Sequence, residues 1–191
     1  MAGVAGRADA VRNRQKIVEA ARESFSELGL EAPLDGIAKR AGVGAGTLYR
    51  HFPAREDLVG AVLATQIVGL EESHEALRAK GLGAGEALEE WGIVLQRWMT
   101  SYVGLPEPLR QALDGGCGSL GVGCERVIGW TDELVQAARQ EGVVKDHVTG
   151  RDFYRTMLGL AWVATAGGAG CEDVAPLSRI AREGWRAAPV G

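Results

Sequence analysis

Between residues 39 and 55 the chain gathers side chains suited to a polyanion: Lys39, Arg40, Thr47, Tyr49, Arg50, His51 and Arg55. Lysine and arginine neutralise phosphates. Hydroxyls and an imidazole N–H bond to phosphate oxygens or base edges, and arginine addresses guanine through two parallel bonds. Upstream, residues 37–44 read Ile-Ala-Lys-Arg-Ala-Gly-Val-Gly. Small Ala38 and Ala41 let two helices cross closely, Gly42 suits a turn of positive φ, and Val43 is apolar. This is the spacing of a helix-turn-helix, and equally that of any helical hairpin turning on glycine. In the helix that follows, Leu48 and Phe52 stand four apart and anchor one face in the core. Thr47, Tyr49, Arg50 and His51 project to other faces. Tyr49 either covers the core with its ring or offers its hydroxyl to DNA, His51 either packs or meets a phosphate, and Arg50 points either to solvent or to a base. Arg55, near the start of the next helix, is expected to grip a phosphate together with backbone N–H groups. Lys39 and Arg40 are further phosphate candidates. Gly44, with Ala45 and Gly46, leaves the start of the reading helix almost bare, which permits close approach but supplies few groups to read bases.

The chain as a whole, 191 residues with a formal net charge of −4, does not advertise nucleic-acid binding. Its charge is uneven, however. Residues 1–55 hold nine Lys and Arg against six Asp and Glu, a balance of +3, and the remainder stands at −7. A basic head on an acidic body fits a polyanion-binding module joined to a domain with another task. With 46% hydrophobic residues the chain is not disordered. No apolar run approaches the ~18 residues of a membrane span, and the first ten residues lack the layout of a signal peptide. The expectation is a cytoplasmic protein without a membrane partner. Three cysteines (Cys117, Cys124, Cys171) with no Cys-x-x-Cys, and three scattered histidines, argue against a disulfide framework or a metal site. No cofactor is expected. A small helical enzyme is the rival class, but no nucleophile–base–acid set or phosphate loop is present. Asp146 and His147 are read as a loop or helix start.

Helical spacing recurs along the chain and strand signals are almost absent. Asp9 is the expected N-cap of a first helix whose apolar face runs Ile17, Ala21, Phe25 and Leu28 up to Gly29. Ala32-Pro33 opens a second, short helix; residues 44–52 form a third; a longer fourth runs from near Arg55 toward Lys80. Gly81-Leu82-Gly83-Ala84-Gly85 is the clearest linker. Beyond it helices are expected at 86–103, 105–113, within 119–141, at 151–165 and at 174–187. Thr149-Gly150-Arg151-Asp152 has the form of a capping box for the eighth. The class is all-α with about nine helices. Residues 1–55 form a three-helix DNA-binding domain, 55–80 a connecting helix, and 81–191 a helical effector-binding and dimerisation domain.

Residues 47–58, Thr-Leu-Tyr-Arg-His-Phe-Pro-Ala-Arg-Glu-Asp-Leu, resemble the signature of the TetR/AcrR family of transcriptional regulators. The resemblance covers about residues 12–63, and beyond them it is architectural, with one echo at 134–152. It implies a homodimeric repressor that leaves its operator DNA on binding a small molecule. Two departures stand out: where many members cap the second and third helices with Ser or Thr, this chain has Pro33 and Gly44, at the cost of two phosphate contacts.

In the fifth helix Ala87, Trp91, Val94, Leu95, Trp98 and Tyr102 recur at near-helical spacing, and four of the five tryptophans lie between 91 and 162. The stripe is either plain core or the wall of the pocket the resemblance implies. In the second case Trp91, Leu95, Trp98, Met99, Tyr102, Cys124, Trp130 and Phe153 line a cavity for a small apolar or aromatic effector. Cys117 and Cys124 are read as buried hydrophobes rather than redox sensors. Residues 158–170 are rich in Gly and Ala. With the helix after them they either pack internally or, as the resemblance suggests, form a four-helix dimer interface using Met157, Ala161, Ala164, Leu177, Ile180 and Trp185. Such a dimer matches two DNA half-sites about 34–36 Å apart. The alternative is a dimeric DNA-binding regulator gated by a partner protein or by nothing.

Overall fold

The computed structural model describes residues 2–114, 119–166 and 171–188. Cys117, with Gly115, Gly116 and Gly118, lies outside these residues, as do Gly167, Gly168 and Gly170 of the small-residue run. Among the described residues nine helices follow one another: α1 (Ala2–Leu28), α2 (Leu34–Arg40), α3 (Ala45–His51), α4 (Arg55–Ala79), α5 (Ala84–Met99), α6 (Pro106–Leu113), α7 (Ser119–Gln140), α8 (Gly150–Ala166) and α9 (Cys171–Trp185). The extended element is an isolated antiparallel bridge, Val144 with Arg186, which ties the end of α9 to the turn after α7.

Local chemistry explains most boundaries. Ile17, Ala21 and Phe25, one turn apart on α1, are fully buried in one core with Ile37 of α2, Leu48 of α3 and Phe52 just after α3, whereas Leu28, expected on the same face, is 64% exposed. The α8 capping box forms reciprocally: the Thr149 backbone N–H donates to Asp152 Oδ2 at 3.0 Å and the Asp152 N–H to Thr149 Oγ1 at 3.2 Å. Several boundaries differ from expectation, among them α9, expected at 174–187 and found at Cys171–Trp185. Asp9 does not start α1, which begins at Ala2; Asp9 sits inside the helix and pairs with Arg12 one turn on. The stretch before it, with three alanines and no proline, continues the helix through Gly3 and Gly6. The expected linker is shorter than its glycines suggest, because Ala84 and Gly85 belong to α5, which ends at Met99 rather than Val103.

Helix α4 runs from the head into the body, where α7 packs against it, against α5 and against α8. Two of these crossings bring a glycine close to its neighbour, and only at Gly150 is that neighbour main chain. A Cβ on Gly123 would stand 2.2 Å from Ile67 Cδ1, and one on Gly150 would stand 2.4 Å from the Asp132 backbone nitrogen. The Gly150 N–H donates to Asp132 Oδ1 at 2.8 Å. Because the obstacle at Gly150 is main chain, Gly150→Ala is expected to destabilise the protein by about 1–3 kcal/mol, seen as a lower urea midpoint; an unchanged midpoint would show that α7 and α8 can separate freely there.

Candidate nucleic-acid interface

The head turns where the glycine spacing requires. Gly42 has φ +68°, and the Val43 N–H donates to Ala38 O at 3.0 Å, closing the end of α2. Leu48 and Phe52 are buried, which fixes the azimuth of α3 and leaves Tyr49 and Arg50 outside. Tyr49 is 48% exposed, so its ring does not cover the core. Lys39, Arg40, Gly44, Ala45 and Gly46 are exposed, and Thr47 and His51 half-buried, with the His51 ring tilted against Phe52 at 6.5 Å. Pro33 and Gly44 occupy the N-cap positions of α2 and α3, and neither makes a side-chain cap bond. A Cβ on Gly44 or Gly46 would meet nothing within 4 Å.

The cations of the head are not equally free. Arg40 grips Glu27 through both terminal nitrogens, at 2.8 and 2.6 Å, with Glu23 at 3.7 Å. Arg50 folds back on its own helix, donating to Gly46 O at 3.1 Å and Thr47 Oγ1 at 3.0 Å. One cation escaped the sequence: Arg14, on α1, lies over the Phe52 ring at 5.0 Å, beside the end of α3. No local motif marks it, since only the α1–α3 crossing brings it there.

Arg55 departs from the expected phosphate grip. Its Nη1 donates to Leu30 O at 2.7 Å and Ala32 O at 2.8 Å, pinning the α1–α2 turn to the first turn of α4. Asp57 Oδ2 accepts from the Ala54 N–H at 3.0 Å, so a carboxylate already holds the start of α4 and Glu56 stands beside it. The guanidinium is committed to carbonyls and the helix start is already negative.

The residues expected to line a pocket lie inside the body. Trp91, Leu95, Trp98, Met99, Tyr102, Cys124 and Phe153 are all buried, and Trp130 is half-buried. Among the four clefts described, Phe153 borders one of about 100 Å3 between α5, α8 and α9, and the other seven residues line none. The polar atoms of the α5 aromatics are paired: Trp91 Nε1 donates to Thr131 Oγ1 at 2.9 Å, Trp98 Nε1 to Gln66 Oε1 at 3.2 Å, and Gln66 Nε2 to Tyr102 Oη at 3.0 Å. The Tyr154 hydroxyl donates to Cys124 Sγ at 3.6 Å, and burial pushes the Cys124 thiol pKa up, which disfavours a reactive thiolate.

The dimer expectation divides likewise. Met157, Ala161 and Trp185 are buried within the subunit, with Trp185 edge-on to Phe153 at 5.6 Å, and Ala164 is half-buried. Leu177 and Ile180 are exposed, and the sequence missed their companions Trp162 (41% exposed) and Val163 (43%) on α8.

His74 adds a buried titratable group between α4, α5 and α7. Its ring stacks on Trp130 at 5.9 Å and meets Trp91 edge-on at 5.6 Å; its Nε2 lacks a hydrogen-bond partner, with Glu133 Oε2 at 3.8 Å. Burial lowers its pKa below the usual 6.5, against the upward pull of Glu133 and Glu75 and with Arg78.

The comparisons converge on one family. Residues 17–62 match the family described as "Bacterial regulatory proteins, tetR family". An HTH-type transcriptional regulator of Staphylococcus aureus is 51% identical over 53 residues, which span 27% of this chain and only 29% of that relative. A TetR transcriptional regulator of Streptomyces coelicolor, of known structure, is 31% identical over 92% of this chain and 99% of its own, with a TM-score of 0.61. FadR of Thermus thermophilus, a TetR-family repressor solved in complex with lauroyl-CoA, shares the fold at 24% identity, 93% and 98% coverage and a TM-score of 0.57.

Two measurements test these roles. Arg55→Met removes two charge-assisted bonds from the head and is expected to cost about 2–3 kcal/mol, measured by chemical denaturation; a loss below about 0.5 kcal/mol would deny the pin. For His74, the unfolded chain takes up a proton near pH 6.5 that the folded chain refuses, so stability falls as pH drops below 6.5 until the folded imidazole itself titrates. His74→Phe should flatten that slope, and an unaltered slope would assign it to other groups.

Proposed function

Because the chain belongs to the TetR family of bacterial regulatory proteins and is a DNA-binding transcriptional regulator, we propose that it acts as a cytoplasmic homodimeric repressor, released from its operator by a small apolar or aromatic ligand. Regulators of this family are not enzymes. The observation that carries the proposal is the outer face of α3: burial of Leu48 and Phe52 turns Tyr49 and Arg50 outward, beyond a helix start whose Gly44 and Gly46 leave open space. A helix so presented enters a major groove with its first residues against base edges. Lys39 meets a phosphate, Tyr49 and His51 flank the backbone, and Gly44 permits the approach. Arg50 reads a base once it exchanges Thr47 Oγ1 and Gly46 O for the DNA, and Thr47 is then free for a phosphate. Arg40 contributes through the potential of its Glu27 pair, and Arg55 by holding the head.

The exposed apolar residues Trp162 and Val163 on α8 and Leu177 and Ile180 on α9 support pairing through these two helices, with the half-buried Ala164 beside them in sequence. Met157, Ala161 and Trp185 stiffen that surface from behind. The small apolar or aromatic ligand has to part the packed α5 face around Trp91 and Trp98, so its binding opens the body. The same packing supports a second reading, a dimer gated by a partner protein or by nothing. Ligand-dependent thermal stabilisation separates the two.

Selection of genomic fragments by the purified protein identifies the operator. On it, Tyr49→Ala is expected to weaken binding without loss of folding. Lys39→Ala should lower the slope of log K against log salt by about 0.9 per contact, twice that for a dimer; an unchanged slope removes Lys39 from the phosphates. Trp162→Arg or Ile180→Arg should yield monomers in sedimentation at micromolar concentration, and a monomeric wild type would refute the interface.

A further inference from the structure

A partly apolar cleft belongs neither to the DNA-facing surface nor to the α5 stripe. It lies at the junction of head and body, about 400 Å3 in volume, between the α1–α2 turn, the first turn of α4, α6 and the start of α7. That is within the size range of small-molecule sites. Its floor is apolar, with Leu30, Val59, Ala112 and Leu120 among its lining residues. Its charged lining is one-sided: Glu31, Glu56, Asp57 and Glu107 against Arg55.

These charges are not all available. Glu107 accepts from Arg110 at 2.8 Å and Gln111 at 2.9 Å, bonds that hold its carboxyl down at about 2. Asp57 is taken up by the Ala54 N–H, and Arg55 by two carbonyls. Glu31 and Glu56 have no hydrogen-bonded partner among the described contacts, and they stand above an apolar floor. An anion would face four carboxylates with the single guanidinium already committed. A neutral apolar molecule would leave the carboxylates uncompensated. A cation with an apolar tail satisfies both parts of the cleft, through attraction to the rim and burial on the floor.

We propose that this junction cleft binds a small organic ammonium ion carrying an apolar or aromatic group. Its walls come from both sides of the Leu30–Arg55 pin, so an occupant touches the elements that set the head on the body. The site stands apart from any effector acting on α5, and its existence does not depend on the operator proposal.

Calorimetric titration of the full chain with phenylbutylamine, neutral phenylbutanol and anionic phenylbutyrate tests it directly. The amine is expected to bind at least about tenfold more tightly than the alcohol, and the acid more weakly than either. Glu31→Gln combined with Glu56→Gln, both exposed positions, should bring the amine to the level of the alcohol, while Ala112→Trp should fill the cleft and abolish binding of both. Equal binding of all three probes, no binding of the amine, or amine binding unaffected by either variant would overturn the proposal. Operator binding measured on the same variants reports on the regulator proposal alone, so retained operator binding without amine binding refutes only the cleft.

Discussion

The structure depends on the way one residue, Leu30, is held from two directions. Its N–H donates to Val103 O at 3.0 Å, in the turn between α5 and α6, and its carbonyl accepts from Arg55 at 2.7 Å, at the head of α4. The buried main-chain groups of Leu30 must find partners, and here the partners belong to different parts of the chain. Gly29 makes the approach possible: its φ of +76° is left-handed, and a Cβ there would stand 3.0 Å from Val103 O. Head and body are thus joined by backbone hydrogen bonding as well as by the length of α4.

Much of this was legible in the residues. The one-turn spacing of Ile17, Ala21 and Phe25, the Thr149–Asp152 box, and the Ala38–Gly42–Leu48 constellation depend on local geometry, and a local pattern reports them. What escaped depends on what lies across the gap. An aromatic stripe looks alike whether or not its polar atoms find partners; Thr131 and Gln66, forty and thirty-two positions from the indoles they receive, supply them here. Helix α8 is apolar on two sides, so its sequence offers no reason to place Ala161 inside and Trp162 outside. Phe153 and Trp185 decide that by their own packing.

Charge was legible in amount but not in disposition. The +3 of the first 55 residues counts Arg40, Arg50 and Arg55 as equal contributors. In the folded head one is forked onto a carboxylate, one lies along its own helix, and one is spent on carbonyls. A guanidinium has donors enough to serve structure first, and only its neighbours in space show which arginines remain to meet a partner.

The bare start of α3 carries a consequence for divergence. Gly44 has φ −72° and open space around it, and Gly46 lies within the helix with nothing near its missing side chain. Any residue at 44 fits the backbone, and Ser or Asp there would add a cap. Almost any residue at 46 would raise helix propensity, by up to about 1 kcal/mol. Retargeting a binding protein usually spends stability to acquire new contacts. At these two positions the exchange runs the other way, since a new side chain at the start of α3 meets open space and can add stability to the fold that carries it.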